Sequence, residues 1–325
     1  MNIFRGILTL GHLVILALLA GTYLNAYIAP QTLVWVNLLS LLFPVLVILH
    51  FLLCFVWIVL RQKKAVFFLL CSILFYNPIK RWINFTEESA EKPNLKIVTM
   101  NIKGGSMGRE AINEYLANTQ ADIIFGQECG SEFQIPGYSY KTTDYPIVAL
   151  NSKTEIINQG KITMTGNGNS FFADVKFNGK IIRVINLYLN PFSFEKQKVK
   201  PAEDLEKNQT KIKYVLHRLL PVFKIHQQEI AEIRRAVESS PYPVILAGDF
   251  NAVPNSYEYY TLGKGLTDAF MKAGKGSGTS FHDYKFPLRI DYIFTSPEIK
   301  AVSYKVDRSV HLSDHFPVLA EFNIK

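Results

Sequence analysis

The sequence predicts an α+β fold, two packed β-sheets flanked by helices, carried behind an N-terminal transmembrane helical segment. Three observations predict it. Residues 1–85 contain no Asp or Glu and only six basic residues, whereas residues 86–325 carry 29 Lys+Arg against 27 Asp+Glu. Beyond residue 94 the chain breaks into many short β-rich runs with few helices between them, unlike the regular alternation of a doubly wound sheet. Asn178-Gly179, set between two apolar runs, is a strong local hairpin signal.

Composition narrows the class further. With 49% hydrophobic and 19% charged residues, the chain is neither disordered nor fibrous. Its three cysteines, two of them in apolar stretches, exclude a disulfide framework and a cysteine zinc cluster. The formal charge of +8 arises mostly in the first 85 residues, leaving +2 (29 minus 27) for the rest. A long basic stripe for nucleic acid is therefore not expected.

The membrane segment reads as about three helices over residues 1–85. Gly6 to Ile28 is a mostly apolar run about 34 Å long as a helix, enough to cross a bilayer, and Pro30 breaks it. Its length and the span that follows favour an uncleaved anchor over a signal peptide. Thr32 to Leu60 forms a second run of about 44 Å, stopped by Arg61-Gln62-Lys63-Lys64. Ala65 to Ile79 is a third, about 22 Å, short for a crossing unless Lys64 and Trp82 extend it to the interfaces. Polar residues inside these runs, His12, Asn25, Asn37 and His50, are expected to bond neighbouring helices. Arg5, Arg61, Lys63 and Lys64 should stay cytoplasmic, so three crossings place the C-terminal domain outside the cytoplasm; Lys80 and Arg81 argue the other way.

Residues 86–94 form a polar linker, and the catalytic domain is expected over 95–325. Strands are predicted at Leu95–Ile102 and Ala121–Gln127 with a helix near Arg109–Ala117, and at Phe171–Phe177 and Lys180–Leu189 around the hairpin turn. A long amphipathic helix follows over Lys207–Val237, then strands at Pro243–Phe250, Leu288–Ser296, Lys300–Val306 and Phe316–Ile324.

Polar residues that are costly to bury punctuate these strands. Asn101 ends IVTMN, Glu128 ends ADIIFGQE, Asp249 and Asn251 end PVILAGDFN, Asp291 lies inside LRIDYIF, and Asp314-His315 precede the last strand. Singly, each reads as a turn residue or a local ion pair. Together they offer carboxylates, amides and one imidazole, a donor set suited to a hard cation such as Mg²⁺, with Mn²⁺ as an alternative ion.

The ordered set TMNIKG, FGQEC, INLYLNP, AGDFNAVPNSYEYY, RIDYIF and LSDHFPV resembles the endonuclease/exonuclease/phosphatase superfamily, which includes deoxyribonuclease I, apurinic endonucleases and neutral sphingomyelinases. The N-terminal region is similar to that of membrane-bound members common in Bacteroidetes-type bacteria. The resemblance implies a four-layer α/β/β/α sandwich and metal-dependent hydrolysis of a phosphoester. It implies Glu128 as the principal Mg²⁺ ligand with Asn101 beside it and Asp314 near the metal. Asp249 and Asn251 then position the attacking water and the phosphate, and Asp291 orients the catalytic His315. Tyr188 stands where many members have a histidine; it resembles the apurinic-endonuclease branch, where the tyrosine contacts the scissile phosphate. Cys129 reads as structural, and His282, Asp283 and His311 as rim or loop residues.

The expected activity is that of a membrane-anchored Mg²⁺-dependent phosphoesterase of the inner membrane, its domain periplasmic. Its partners are the bilayer and a phosphate-ester substrate: a lipid headgroup, a nucleotide or nucleic acid. A nuclease, or a catalytically inactive binding member of the same fold, is the alternative.

Overall fold

The structure, a computed structural model, describes residues 2–324 apart from 88, 131–132, 143–144, 146, 164–167, 196–201, 203 and 284–285. Two of its helices are long and apolar enough to cross a membrane. Helix α1 (Asn2–Gly21) runs on through a 3₁₀ segment to Ala26, and α2 (Trp35–Val59) is continuous through Pro44. The third apolar run differs from the expected single helix. It divides into α3 (Lys64–Cys71), a 3₁₀ turn Ser72–Phe75 and one turn Tyr76–Lys80. Pro78 explains part of the break, because it has no N–H to give the carbonyl of Leu74. That carbonyl instead accepts a hydrogen bond from the Tyr23 hydroxyl.

His12 and His50, buried in this segment, find partners on its other elements. His12 Nε2 lies 2.8 Å from His50 Nδ1, Trp57 Nε1 donates to His12 Nδ1 at 3.0 Å, and His50 Nε2 meets Ser72 Oγ at 2.9 Å. His12, His50 and Cys54 are close enough to be a candidate metal cluster, but these bonds already engage all four ring nitrogens.

The rest of the chain runs β1 (Ile83–Phe85), β2 (Leu95–Asn101), α4 (Arg109–Asn118), β3 (Ile123–Gln127), β4 (Tyr140–Lys141), β5 (Val148–Ser152), β6 (Ile156–Thr163), β7 (Asn169–Phe177) and β8 (Lys180–Tyr188). Then come α5 (Leu205–Glu238), β9 (Val244–Asp249), α6 (Tyr257–Leu262), β10 (Thr267–Asp268), α7 (Ala269–Ala273), β11 (Lys275–Ser277), β12 (Asp291–Thr295), β13 (Ile299–Val306) and β14 (Val318–Ile324). One sheet has the order β13-β14-β2-β3-β5-β4, the other β10-β12-β9-β8-β7-β6, and β1 pairs with β11.

Alternation along the strands builds the layers. Ile97, Ile123, Phe125 and Leu150 of the first sheet face Phe171, Val184, Ile245 and Ile293 of the second in one fully buried core. The other faces carry helices. Val98, Met100 and Ile124 pack on Ile112 and Leu116 of α4, while Ile185, Leu187 and Leu246 pack on Ile230 and Ile233 of α5. Helix, sheet, sheet and helix thus stack in four layers.

The apolar segment is seated on this sandwich. Asn25 Nδ2 donates to the Asn255 carbonyl at 2.9 Å, Arg81 Nη1 to Asn255 Oδ1 at 2.7 Å, and Asn37 Nδ2 to Glu258 Oε2 at 2.9 Å. Leu19, Phe43, Leu46 and Phe75 share a buried cluster with Val253 and Ile290. Apart from Ile290, just before β12, these contacts fall on the loop and helix that follow Asp249 and Asn251.

Candidate active site

Strand register gathers the predicted residues at one end of the sandwich. Because β8 and β9 run parallel and β12 antiparallel to them, Tyr188, Asp249 and Asp291 lie side by side in adjacent strands. Asp291 is the first residue of β12 rather than an interior one, since the strand begins only at that position. In the other sheet Asn101 ends β2, and Glu128 follows β3 directly. His315 sits just before β14 and bridges to Phe281.

Backbone geometry at these ends is specialised. Glu128 and Asn251 have φ of +51° and +44°, a left-handed conformation that non-glycine residues adopt at a cost of about 1 kcal/mol or more. Gly248, before Asp249, has φ +135°, and a Cβ there would stand 2.1 Å from the Leu187 carbonyl oxygen. Only glycine lets β9 approach β8 this closely.

Hydrogen bonds join the two sheets across the site. Asn101 Nδ2 donates to Glu128 Oε1 at 2.9 Å and to Asp249 Oδ2 at 3.0 Å, so one amide orients a carboxylate from each sheet. The Tyr188 hydroxyl donates to the same Glu128 oxygen at 2.9 Å. Alternation puts Leu187 and Leu189 in the helix-facing core and Tyr188 on the inter-sheet side. Asp249 Oδ1 accepts from the Asn251 amide N–H at 2.8 Å, and Asn251 Nδ2 donates to the Leu189 carbonyl at 2.8 Å. Burial, with Glu128 and Asp249 adding to it, raises the Tyr188 phenol, which stays a neutral donor.

His315 is buried between two carboxylates. Its Nδ1 lies 2.8 Å from Asp291 Oδ2, and its Nε2 lies 3.8 Å from Asp249 Oδ2. Burial works against the charged ring, but Asp291 and then Asp249 outweigh it and raise the pKa of His315. Asp249 is also raised, chiefly by burial and further by Asp291, against the pull of His315. Ser280 Oγ donates to Asp291 Oδ2 at 2.5 Å, so Asp291 holds the imidazole and is itself held.

Three residues beyond the expected ligands and acid–base groups contribute. Lys103, at φ +49° in the turn after β2, bonds Asp314 and lies 3.7 Å from Asp283. Burial opposes its charge, but Asp314, Asp283 and Glu128 raise its pKa; reciprocally, Lys103 and His315 hold the Asp314 carboxyl below its usual value against burial. Ser280 is the second and Asp283, expected at the rim, the third. Among earlier expectations, Cys129 is buried with its thiol pushed well up by burial, which suits a structural role. His282 stacks on Phe316 and meets the Ser313 carbonyl at 3.0 Å. Glu128, Tyr188, Asp249, Asn251, Asp314 and His315 all line one cavity of about 530 Å³.

A family model described as the Endonuclease/Exonuclease/phosphatase family matches residues 98–315. The chain belongs to this family. A second model, a domain of unknown function (DUF8431), matches residues 5–82. Among solved structures, an endonuclease/exonuclease/phosphatase from Bacteroides vulgatus is 19% identical with a TM-score of 0.55, covering 72% of this chain and 100% of its own. A family protein from Bacteroides thetaiotaomicron is 18% identical at TM-score 0.52, covering 73% and 97%. A mannosyl-6-phosphatase from the same organism is 20% identical at 0.51, covering 71% and 100%. At these identities the likeness is one of fold. A comparison with curated proteins finds no match.

This member of the endonuclease/exonuclease/phosphatase family is a metal-dependent hydrolase acting on phosphoester bonds. The donor chemistry fits a divalent cation. Asp249, Asp291 and His315 bring ligand atoms within 4.8 Å of one another. Within that group Asp291 is committed to His315 and Ser280, so it reads first as an orienting dyad. Glu128 and Asp314 offer oxygens only, line the same cavity, and already attract the Lys103 ammonium. That is the chemistry a hard cation requires.

Proposed function

We propose that this protein is a membrane-anchored phosphoesterase that uses Mg²⁺, or Mn²⁺, to hydrolyse a phosphodiester or phosphomonoester by attack of water. The observation that carries the reading is the convergence of Glu128, Tyr188, Asp249, Asn251, Asp314 and His315 on one cavity. Glu128 and Asp314 would hold the cation, with Asn101 fixing the Glu128 carboxylate. When bound, the ion withdraws charge from a non-bridging phosphoryl oxygen and from the departing ester oxygen.

The protein's own groups do the rest. Asp249, its carboxyl raised by burial, accepts the proton of the attacking water, and Asn251 places that water and the phosphate. His315, kept protonated by Asp291, donates from Nε2 to a phosphoryl oxygen. Tyr188 directs its hydroxyl toward the same phosphate from beside Glu128.

In this reading residues 1–85 form the anchor in the inner membrane, 86–94 the linker and 95–325 the catalytic domain, facing the periplasm. Sidedness is supported by where the charges fall. The helix ends near Asn25 and Asn37 are seated on the sandwich, whereas Lys64 Nζ bonds Thr9 Oγ1 at 2.7 Å, toward the far end of α1. Of the two exceptions to cytoplasmic basic residues, Lys80 and Arg81, the second is absorbed by the sandwich: it bonds Asn255 and lies 4.6 Å from the Tyr260 ring centroid.

The test is metal dependence. The purified full chain should hydrolyse bis(p-nitrophenyl) phosphate with Mg²⁺, lose the activity in EDTA and regain it on adding Mg²⁺ or Mn²⁺. Activity unaffected by the chelator would contradict the proposal.

A further inference from the structure

The cavity that holds the strand-end carboxylates has a second character. Its charged lining residues, Lys103, Glu128, Asp249, Asp283, Asp314 and His315, all belong to the site or its immediate rim. Most of the remaining wall is apolar and aromatic. Phe192 and Phe223 meet edge to face at 5.5 Å between ring centroids, Leu219 adds a further turn of α5, and Leu288 and Ile290 close the side toward the apolar segment. A polar substrate would leave this wall wetted, whereas an aliphatic chain would dry it.

One wall residue comes from the apolar segment itself. Leu41 of α2 lines the cavity, six residues after Trp35 and so about 9 Å along the helix. Helix α2 has 25 residues, about 37 Å, and exceeds a hydrocarbon core of about 30 Å. If that excess lies at its Trp35 end, Leu41 stands where headgroups give way to acyl chains. The neighbouring Leu42 is 49% exposed and Trp35 54%, an exposed apolar surface that would face lipid in this placement, with an aromatic at its edge. Cavity wall and lipid-facing surface therefore adjoin on one helical turn.

We propose that the substrate is an amphiphilic phosphoester, a membrane lipid whose phosphate reaches the strand-end carboxylates while an acyl chain lies along Leu41, Phe192, Leu219 and Phe223. The assignment rests on the phosphoesterase reading and specifies its substrate class. The lipid enters from the leaflet around the Trp35 end of α2, without leaving an apolar environment for its tail. No chemical step beyond ester hydrolysis is added: water bonds to phosphorus and gives its proton to Asp249, the bond from phosphorus to the leaving oxygen breaks, and that oxygen, departing with the electron pair, takes a proton from solvent.

The experiment uses the full chain in nanodiscs with Mg²⁺ and a series of alkyl p-nitrophenyl phosphodiesters, ethyl to decyl, each below its micelle concentration. A fully buried methylene is worth about 0.8 kcal/mol, or about fourfold in kcat/KM. Partial burial should still give at least about a hundredfold rise from ethyl to decyl. Leu41→Gln and, separately, Phe223→Ser should each lower the decyl-to-ethyl ratio about tenfold. The ratio is read on one preparation, so loss of folded protein cancels. A flat series would overturn the lipid assignment and leave the phosphoesterase reading standing. So would a ratio unchanged in both variants, which would assign the slope to bilayer partitioning, or faster cleavage of p-nitrophenyl nucleotide esters than of the decyl ester. If no ester is hydrolysed with Mg²⁺, the phosphoesterase reading itself fails and the lipid assignment with it.

Discussion

His315 shows how much of the site depends on pairs rather than single groups. It is buried, its Nδ1 is committed to Asp291, and Asp291 is in turn held by Ser280. Residues that act through one another give non-additive losses. Asp291→Asn and His315→Ala should each lower kcat by about a hundredfold or more, as removal of a positioned acid–base group does. The double variant should lose little beyond the worse single one. Additive losses in that cycle would show that the two act independently. At this scale the sequence disclosed the carboxylates because Glu128 and Asp249 ended apolar runs, Asp291 interrupted one and Asp314 preceded one, where a charge is costly to bury without purpose. It did not disclose Lys103 or Ser280. Lys103 lies in a turn and Ser280 in the segment after β11, where polar residues are ordinary, and only tertiary packing brings them to Asp314 and Asp291.

Between elements, a buried pair ties the long helix to the loop beyond the site. His226 of α5 places Nδ1 2.9 Å from Glu258 of α6 and Nε2 2.7 Å from the Asn190 carbonyl, while Asn37 of α2 reaches the same Glu258. Burial disfavours the imidazolium, but Glu258, Glu229 and Asn190 outweigh it and raise His226 above its ordinary value of 6.5. Glu258 is lowered, because His226 and Asn37 outweigh burial. A raised histidine stabilises fully below its unfolded pKa, and the contribution is lost as pH rises through the folded one. A lowered glutamate stabilises above its unfolded pKa and loses that contribution as pH falls through the folded one. The gap in Tm between the wild type and His226→Asn should therefore be widest near about pH 6 and narrow toward about pH 9. A gap constant over that range would mean that the bond is not ionic. The long elements were legible from period and turn chemistry: Asn178-Gly179 adopts φ of +48° and +76°, the conformation its hairpin turn needs. Strands β5 and β6 were not. All five residues of β5 are buried and so do not alternate, and β6 is an edge strand with mixed exposure, neither showing a period of two.

For the molecule as a whole, the apolar N-terminal segment and the catalytic sandwich share buried contacts. The absence of acidic residues through residue 85 disclosed the apolar segment, but the broken third run could not be foreseen, since it depends on Tyr23 capping the carbonyl that Pro78 leaves free. Under the proposed topology, an alkaline-phosphatase reporter fused after Lys325 should be active, and the same reporter fused after Lys64 should be silent. Silence of both fusions would mean that the third run does not cross and would place the sandwich in the cytoplasm. Metal-dependent turnover depends most directly on Glu128, among the described residues the one carboxylate oriented by both Asn101 and Tyr188. The deciding measurement is kcat/KM for Mg²⁺-dependent phosphodiester hydrolysis by Glu128→Gln, with Mg²⁺ saturating and the fold checked by circular dichroism. A folded variant slower by about a thousandfold or more, several kcal/mol of lost metal-assisted stabilisation, is the predicted result. A folded variant with near wild-type turnover would contradict the account.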